Sequence, residues 1–151
     1  MRYDFKLVSG PKVDLIKHSG QVLKENPDTQ IIVGTDSQNS DDRTTYVTVI
    51  AYRYAKRGVH CIYRKQVFPR ISDNYTRLFK EAQMSIETAI WIDENTPYDV
   101  ISIDLDYNSD HKYESNKVVA GAKGWAESLG YKVNIKPDSQ IATKAADNFC
   151  R

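Results

Sequence analysis

The sequence predicts an α/β fold with a mixed five-stranded sheet in the order β-β-β-α-β-α-β-α, helices on both faces and an extra N-terminal helix. Three observations support this fold class. Residues 30–68 contain three β-prone runs separated by turn residues. From Asn74 the apolar residues recur at helical spacing. Beyond Asp99, strand-like and helix-like segments alternate, which is typical of parallel strands joined by crossover helices.

The N-terminal helix is expected at about residues 11–25. Ser9-Gly10-Pro11 is typical of a helix start, because proline fits the first turn of a helix. The apolar residues that follow form a rough stripe on one side of the predicted helix. Asn26-Pro27-Asp28 then stops it, since the residue before a proline avoids helical geometry.

The next three runs predict an antiparallel meander. The first strand covers Gln30 to Thr35, and Gln38–Asp42 is a cluster of turn residues. Thr45–Tyr52 is rich in β-branched and aromatic residues. Lys56-Arg57-Gly58 turns the chain, and Val59–Phe68 returns as the third strand. Short connections of this kind join neighbouring antiparallel strands.

The second half of the chain predicts two crossover units. The expected elements are a helix from Asn74 to Asn95, a strand over residues 100–106, a helix over 118–129 closed by Gly130, a strand over 131–136 and a short last helix after Ser139. Parallel pairing should make the first and fourth strands neighbours at the sheet centre. Their acidic ends would then meet.

The length, composition and charge of the chain limit the kinds of protein that it can be. The chain has 151 residues, of which 40% are hydrophobic and 27% charged, so we expect one ordinary domain over residues 1–151. The formal net charge is +1, so any surface that binds nucleic acid must be locally basic. The sequence has neither a signal-peptide pattern nor an apolar run near the roughly 20 residues that span a bilayer. We therefore expect a cytoplasmic protein without membrane contact.

Asp36 is the first candidate site residue. It follows the apolar run Ile31–Val33 within Gly34-Thr35-Asp36-Ser37-Gln38, where the predicted strand leaves the core. A carboxylate in such a place needs a counter-charge, hydrogen-bond donors or a metal ion. On the fourth strand, Asp104 and Asp106 share a face with Ser102, whereas Ile101, Ile103 and Leu105 take the other. Asp106 is preferred because it lies at the strand end, where ligands bind.

The helices offer further acids. On the first long helix the candidates are Glu81 and Glu87, and position favours Glu81 because the early turns lie nearer the strand ends. On the last helix, Asp138 fits a helix N-cap. Asp147 follows two alanines that would allow the helix to approach the sheet closely.

The preferred acids are Asp36, Glu81, Asp106 and Asp147. Four converging carboxylates repel one another unless cations neutralise them. All-oxygen ligands suit Mg²⁺ or Mn²⁺. Two such ions can activate a water and stabilise the leaving oxygen of a phosphodiester. Basic residues that could contact phosphates are Arg70, Arg77, Lys112, Lys117, Lys123, Lys136 and Lys144.

Three local motifs together carry a family resemblance. They are Gly34-Thr35-Asp36-Ser37-Gln38, the Asp106-Tyr107-Asn108 turn with Tyr113–Lys117 after it, and Lys136-Pro137-Asp138-Ser139 with Ala146-Asp147. In this combination the chain resembles the YkuK-like family of predicted ribonuclease H-related nucleases over about residues 10–151. The resemblance implies a ribonuclease H-like fold and metal-dependent cleavage of nucleic acid, with acids at Asp36 and Asp106, on the first long helix, and at Asp147.

The chain departs from ribonuclease H enzymes in one respect. Those enzymes often carry a histidine in the loop before the last helix, whereas this chain has Asp138-Ser139 there and its histidines elsewhere, at His18, His60 and His111. The sequence therefore supports two hypotheses. One is a nuclease acting on RNA, RNA/DNA hybrid or structured DNA, and the other is a non-catalytic nucleic-acid-binding or interaction module with the same fold.

Overall fold

The computed structural model describes residues 4–56, 58–108 and 116–136, together with Ile141, Ala142 and Ala145, and within these ranges it leaves out the side chains at positions 106–108, 116, 117, 119 and 136. In chain order the elements are β1 (Phe5–Leu7), β2 (Lys12–Val13), α1 (Leu15–Glu25), β3 (Gln30–Ser40), β4 (Arg43–Arg53), β5 (Val59–Pro69), α2 (Asn74–Asn95), β6 (Val100–Asn108), α3 (Asn116–Ser128) and β7 (Lys132–Lys136). None of the helices described in these ranges is long and apolar enough to cross a membrane.

The strands form one mixed sheet in the spatial order β2-β1-β5-β4-β3-β6-β7. β3, β4 and β5 are the predicted antiparallel meander. β6 lies parallel to β3, and β7 lies parallel to β6. The mixed α/β class, the five predicted strands and the central β3–β6 pairing are therefore confirmed.

The strand count of five is wrong, because residues 5–13 form a hairpin of β1 and β2 beyond β5. Gly10 lies in the hairpin turn with φ +111°, and its N–H donates to the Leu7 carbonyl over 2.9 Å. Ser9-Gly10-Pro11 is thus part of a hairpin turn and not a helix start. Strands of two and three residues are too short for side-chain alternation to reveal them.

The N-terminal helix exists, but it begins at Leu15 and not at residue 11. Asp14 caps it, because its carboxylate accepts the Lys17 N–H over 3.1 Å. The side chains of Leu15 and Val22 then pack into the main core. The apolar stripe therefore predicted the helix correctly, whereas the start predicted from Pro11 was too early.

β3 is longer than predicted, so Asp36 lies inside a strand and not at its end. The strand continues to Ser40, and Asp36 pairs with Val47 of β4. The expected turn over Gln38–Asp42 shrinks to Asp41 and Asp42, with Asp41 at φ 49°. The polar residues after Asp36 remain in the strand because β4 is equally long and each of them has a partner in it.

The two faces of the sheet carry different cores, as the prediction of helices on both faces requires. One face packs against α1, α2 and α3 through a large cluster that includes Val33, Ile50, Ile86 and Ile103. The other face holds a smaller cluster, formed by Ile32, Val47, Val49 and Ala51 with the helical residues Ile141, Ala142 and Ala145. The site residues are therefore divided between two separate packing environments.

One side-chain prediction on β6 is wrong. Ile101 does not share the buried face of Ile103 and Leu105, and it is 49% exposed. The β3–β6 register shifts between its pairs, so that Val100 and Ser102 have partners in β3 and Ile101 does not. An extra residue of this kind resets the alternation of faces.

Candidate active site

Glu81 is the most deeply placed of the proposed ligands that the structure describes. Asp73 caps α2 by accepting the Thr76 N–H over 2.9 Å, which fixes the start of the helix. Two turns later Glu81 faces β3, where its carboxylate is only 3% exposed. The Ser37 hydroxyl donates a short hydrogen bond to Glu81 Oε2.

Arg77 lies one helical turn before Glu81 and closes the same cluster. Its Nη1 donates to Ser37 Oγ over 2.8 Å and is 3.9 Å from Glu81 Oε2. Its Nη2 donates to Asn74 Oδ1 over 3.2 Å. We call Ser37, Arg77 and Glu81 the Glu81 cluster. In it the partners of the buried carboxylate include one cation and one hydroxyl.

A row of hydroxyl groups continues inward from the Glu81 cluster. Thr35 Oγ1 lies 2.7 Å from Ser85 Oγ of α2 and 3.2 Å from Thr48 Oγ1 of β4. Tyr46 donates its hydroxyl to the Arg77 carbonyl over 3.0 Å. Burial, followed by the Glu81 charge, raises the pKa of the Tyr46 phenol. These groups join α2 to the sheet through polar contacts beneath the site.

The side chain of Asp36 lies on the face of the sheet opposite α2. Thr35 and Ser37 point towards α2, so alternation directs Asp36 to the face of its partner Val47. Its side chain is half-buried, and its Oδ1 accepts the Ser37 N–H over 2.9 Å. Ser37 therefore contacts both carboxylates, Asp36 through its N–H and Glu81 through its hydroxyl.

Asp104 has partners of a different kind. It is 1% exposed, and its carboxylate accepts Asn134 Nδ2 over 3.0 Å and the Ala142 N–H over 2.8 Å. It thereby joins β6, β7 and the helical residues of the last segment. Asp106 lies two residues further along β6. Its side chain is outside the described set, as are Asp138 and Asp147.

Glu87, the alternative to Glu81, lies in a separate groove of about 390 Å³ between α2 and the β4–β5 hairpin. Arg64 and Phe68 line the same groove, and Gln83 Nε2 donates to the Glu87 carboxylate over 3.1 Å. The structure thus brings Glu81, and not Glu87, to the strand residue beside Asp36.

The predicted phosphate-binding cations that the structure describes have contacts within the chain. Arg77 belongs to the Glu81 cluster, and Arg70 Nη1 donates to the Asp41 carbonyl over 2.9 Å. Lys123 lies 3.7 Å from Glu127 on α3. The other candidates, Lys112, Lys117, Lys136 and Lys144, fall outside the described residues or have side chains that are outside the described set.

The described carboxylates fit a divalent cation in donor chemistry, because Asp36 and Glu81 offer only oxygen atoms. Among the described side chains, no group of three or more His, Cys, Asp or Glu residues could hold a metal ion. The sequence did not reveal that Ser37 links the two acids. The i to i+4 spacing of Arg77 and Glu81 was a detectable sign of their pairing.

Comparison with known proteins gives one family, and structural neighbours that include two ribonuclease H structures. A family profile described as ribonuclease H-like matches residues 14–151. Ribonuclease H1 from Halobacterium salinarum NRC-1 is 11% identical, with 79% of this chain and 92% of that chain covered and a TM-score of 0.45. The N-terminal ribonuclease H domain of a Mycobacterium tuberculosis protein, solved as a fusion with maltose-binding protein, is also 11% identical. That match covers 82% of this chain and 94% of the other chain, with a TM-score of 0.40.

Proposed function

This chain belongs to the ribonuclease H-like family, and on that premise we propose that it is a metal-dependent nuclease that hydrolyses phosphodiester bonds. The motifs around Asp36, Asp106 and Asp147 favour the YkuK-like group within the family. The proposed substrate is nucleic acid, as RNA, RNA/DNA hybrid or structured DNA. The proposed location is the cytoplasm.

The observation that carries the proposal is the buried carboxylate of Glu81, which is hydrogen-bonded to the residue that follows Asp36. Ser37 bonds to Glu81 through its hydroxyl, and Asp36 is the preceding residue of the same strand. Burial disfavours the charged form of a carboxylate. A bound cation would offset this cost. The arrangement supports a cation site beside residues 36 and 37 of β3.

We propose that Asp36, Glu81, Asp106 and Asp147 hold Mg²⁺ or Mn²⁺. When bound, the ions would activate a water and stabilise the leaving oxygen of the phosphodiester. The chain's own contribution is to hold the carboxylates in position. Ser37 orients Glu81 by its hydroxyl and Asp36 by its N–H.

Hydrolysis assays test this function directly. RNA, RNA/DNA hybrid and branched DNA are each incubated with the wild-type protein, with and without Mn²⁺. We expect Mn²⁺-dependent cleavage of at least one substrate, and a loss of about a hundredfold or more in Asp36→Asn, because the substitution removes a ligand charge without changing shape. Asp28→Asn, in the loop before β3, is the matched control and should retain full activity.

A second pair of variants separates the alternatives on α2. Glu81→Gln should abolish cleavage, whereas Glu87→Gln, which alters the separate groove, should leave it unchanged. Cleavage that persists unchanged in Asp36→Asn would show that the site is wrongly assigned. Loss in Glu87→Gln with retention in Glu81→Gln would exchange the roles of the two glutamates.

The second candidate function is a non-catalytic nucleic-acid-binding module with the same fold. It is favoured by the ion pair of Glu81 with Arg77, because this carboxylate already has a cation supplied by the chain. Salt-dependent binding of nucleic acid, with neither cleavage nor uptake of Mn²⁺ by the wild-type protein, would support this function over the first.

A further inference from the structure

Arg77 supplies a positive charge where the proposed function requires a divalent cation. Its Nη1 is 3.9 Å from Glu81 Oε2 and 2.8 Å from Ser37 Oγ, and Ser37 in turn donates to Glu81. Since Glu81 is 3% exposed, water offers it little stabilisation. The guanidinium therefore provides compensation that the buried carboxylate needs while no metal is bound.

Arg77 is incompletely satisfied in this position. Its Nε is buried and has no hydrogen-bond partner among the described residues. The second contact of Nη1, with the Ser37 carbonyl, is long at 3.5 Å. A buried N–H without an acceptor is a cost to the folded state. A guanidinium that had only a structural role at this site would be expected to use its fork of donors more fully.

Arg77 also has a short route to solvent. Its side chain is 20% exposed, whereas that of Glu81 is 3% exposed. Its Nη2 donates to Asn74, an exposed residue at the first position of α2. A rotation of the side chain towards Asn74 would bring the guanidinium into water without moving the helix backbone.

We propose that Arg77 is an internal counter-cation that a divalent metal ion displaces from Glu81, so that Arg77 sets the metal affinity of the site. This inference rests on the proposed function, because it requires Glu81 to be a metal ligand. Two cations beside one carboxylate repel each other. Metal binding must therefore include the release of the guanidinium, and the protein binds metal less tightly than its carboxylates alone would allow.

Mn²⁺ binding to the whole chain tests the inference without an activity assay. The dissociation constant is measured by the electron paramagnetic resonance signal of free Mn²⁺ for the wild type, Arg77→Gln, Arg77→Lys and Lys80→Gln. Lys80 is the matched control, because it is a cation on the same helix whose Nζ lies 3.7 Å from the centre of the Phe68 ring. Removing either residue changes the net charge by the same amount.

We expect Arg77→Gln to bind Mn²⁺ about tenfold more tightly than the wild type, because the competing charge is gone. Arg77→Lys should remain within about threefold of the wild type. Lys80→Gln should remain within about twofold, because the Lys80 ammonium lies over the Phe68 ring and the charge of a partly exposed side chain is screened. Unchanged or weaker binding in Arg77→Gln would overturn the inference, as would equal tightening in Lys80→Gln.

A second measurement on the wild-type protein covers the case in which Arg77→Gln fails to fold. The ¹⁵N–¹H signal of the buried Arg77 Nε should be protected from exchange without metal, and should lose that protection as Mg²⁺ saturates the site. A signal that stays protected at saturation would overturn the inference. Failure of the proposed function looks different: the wild type binds no Mn²⁺, or Asp36→Asn binds it as tightly as the wild type does.

Discussion

Glu81 and Asp104 are buried to nearly the same degree but are held by different kinds of partner. Glu81 has a hydroxyl and a guanidinium, both on side chains that can rotate. Asp104 has an amide N–H of Asn134 and the backbone N–H of Ala142, and it joins three segments of the chain. The difference suggests that the Glu81 cluster can exchange a partner for a ligand, whereas Asp104 holds the fold together.

The largest expected effect is on stability at Asp104. Asp104→Ala should lower the free energy of unfolding by about 3 kcal/mol, because it leaves the Ala142 N–H and the Asn134 amide without their acceptor. Urea denaturation followed by circular dichroism measures the change. A decrease in the free energy of unfolding below about 1 kcal/mol would remove the contrast with Glu81, because substitutions at the protein surface have effects of that size.

A swap of the two side chains is the matched control for Asp104. Asp104→Asn alone replaces one of two acceptor oxygens with an NH2 group, so either Asn134 Nδ2 or the Ala142 N–H faces a donor. Adding Asn134→Asp restores an amide donor opposite a carboxylate. The double variant should therefore be more stable than Asp104→Asn, and a double variant that is no more stable would argue against this hydrogen bond as the cause.

A smaller effect on stability is expected at Glu81. Glu81→Gln keeps an oxygen that accepts the Ser37 hydroxyl and removes the charge beside Arg77, whose side chain is 20% exposed, so it should cost less than Asp104→Ala, about 2 kcal/mol. The same variant should lose Mn²⁺ binding. Urea denaturation and Mn²⁺ titration of one preparation give both values, and a large stability loss with intact Mn²⁺ binding would reverse the roles of Glu81 and Asp104.

The smallest effect concerns a third polar contact, between neutral groups. His18 Nε2 of α1 and His60 Nε2 of β5 are 2.8 Å apart. Burial lowers the pKa of both imidazoles below their ordinary 6.5, and His60 lowers that of His18 further. The unfolded chain therefore binds more protons than the folded chain, so stability falls as the pH decreases from about 7 through the lowered values.

This pH dependence separates the histidine pair from the two buried acids. Unfolding in urea is followed between about pH 7 and pH 5, where the usual pKa range of carboxyl groups has not been reached. The decrease in stability should be shallower in the double variant His18→Gln, His60→Gln than in the wild type. Equal slopes in the two proteins would assign the decrease to other groups.

The fold was predictable where apolar patterns are long, and its errors arose where local signals compete with tertiary pairing. The meander followed from three β-prone runs of six to ten residues, and α2 followed from a helical pattern over Asn74–Asn95. The polar residues Gln38–Ser40 are typical of a turn, although pairing with an equally long β4 keeps them in the strand. Ser9-Gly10-Pro11 is compatible with a helix start or a hairpin turn, and only contact with β5 decides between them.

The sequence allowed candidate site residues to be chosen, but it did not reveal their contacts. Asp36 is a candidate because it follows an apolar run, and Glu81 is preferred to Glu87 because it lies early in the helix. Ser37 and Glu81 are 44 positions apart, so their hydrogen bond depends on how α2 packs against β3. The bond between Asp104 and the Ala142 N–H likewise depends on packing of the last segment, and it gives Asp104 a role that alternation alone could not reveal.

A crystal soaked in Mn²⁺ is the direct test of the proposal that Asp36 and Glu81 belong to one metal site beside β3. We expect anomalous density in contact with the carboxylates of Asp36, Glu81 and Asp106, with the Arg77 guanidinium turned away from Glu81. Ordered carboxylates without density between them, or a Mn²⁺ ion bound at Asp104 with Arg77 still beside Glu81, would contradict it.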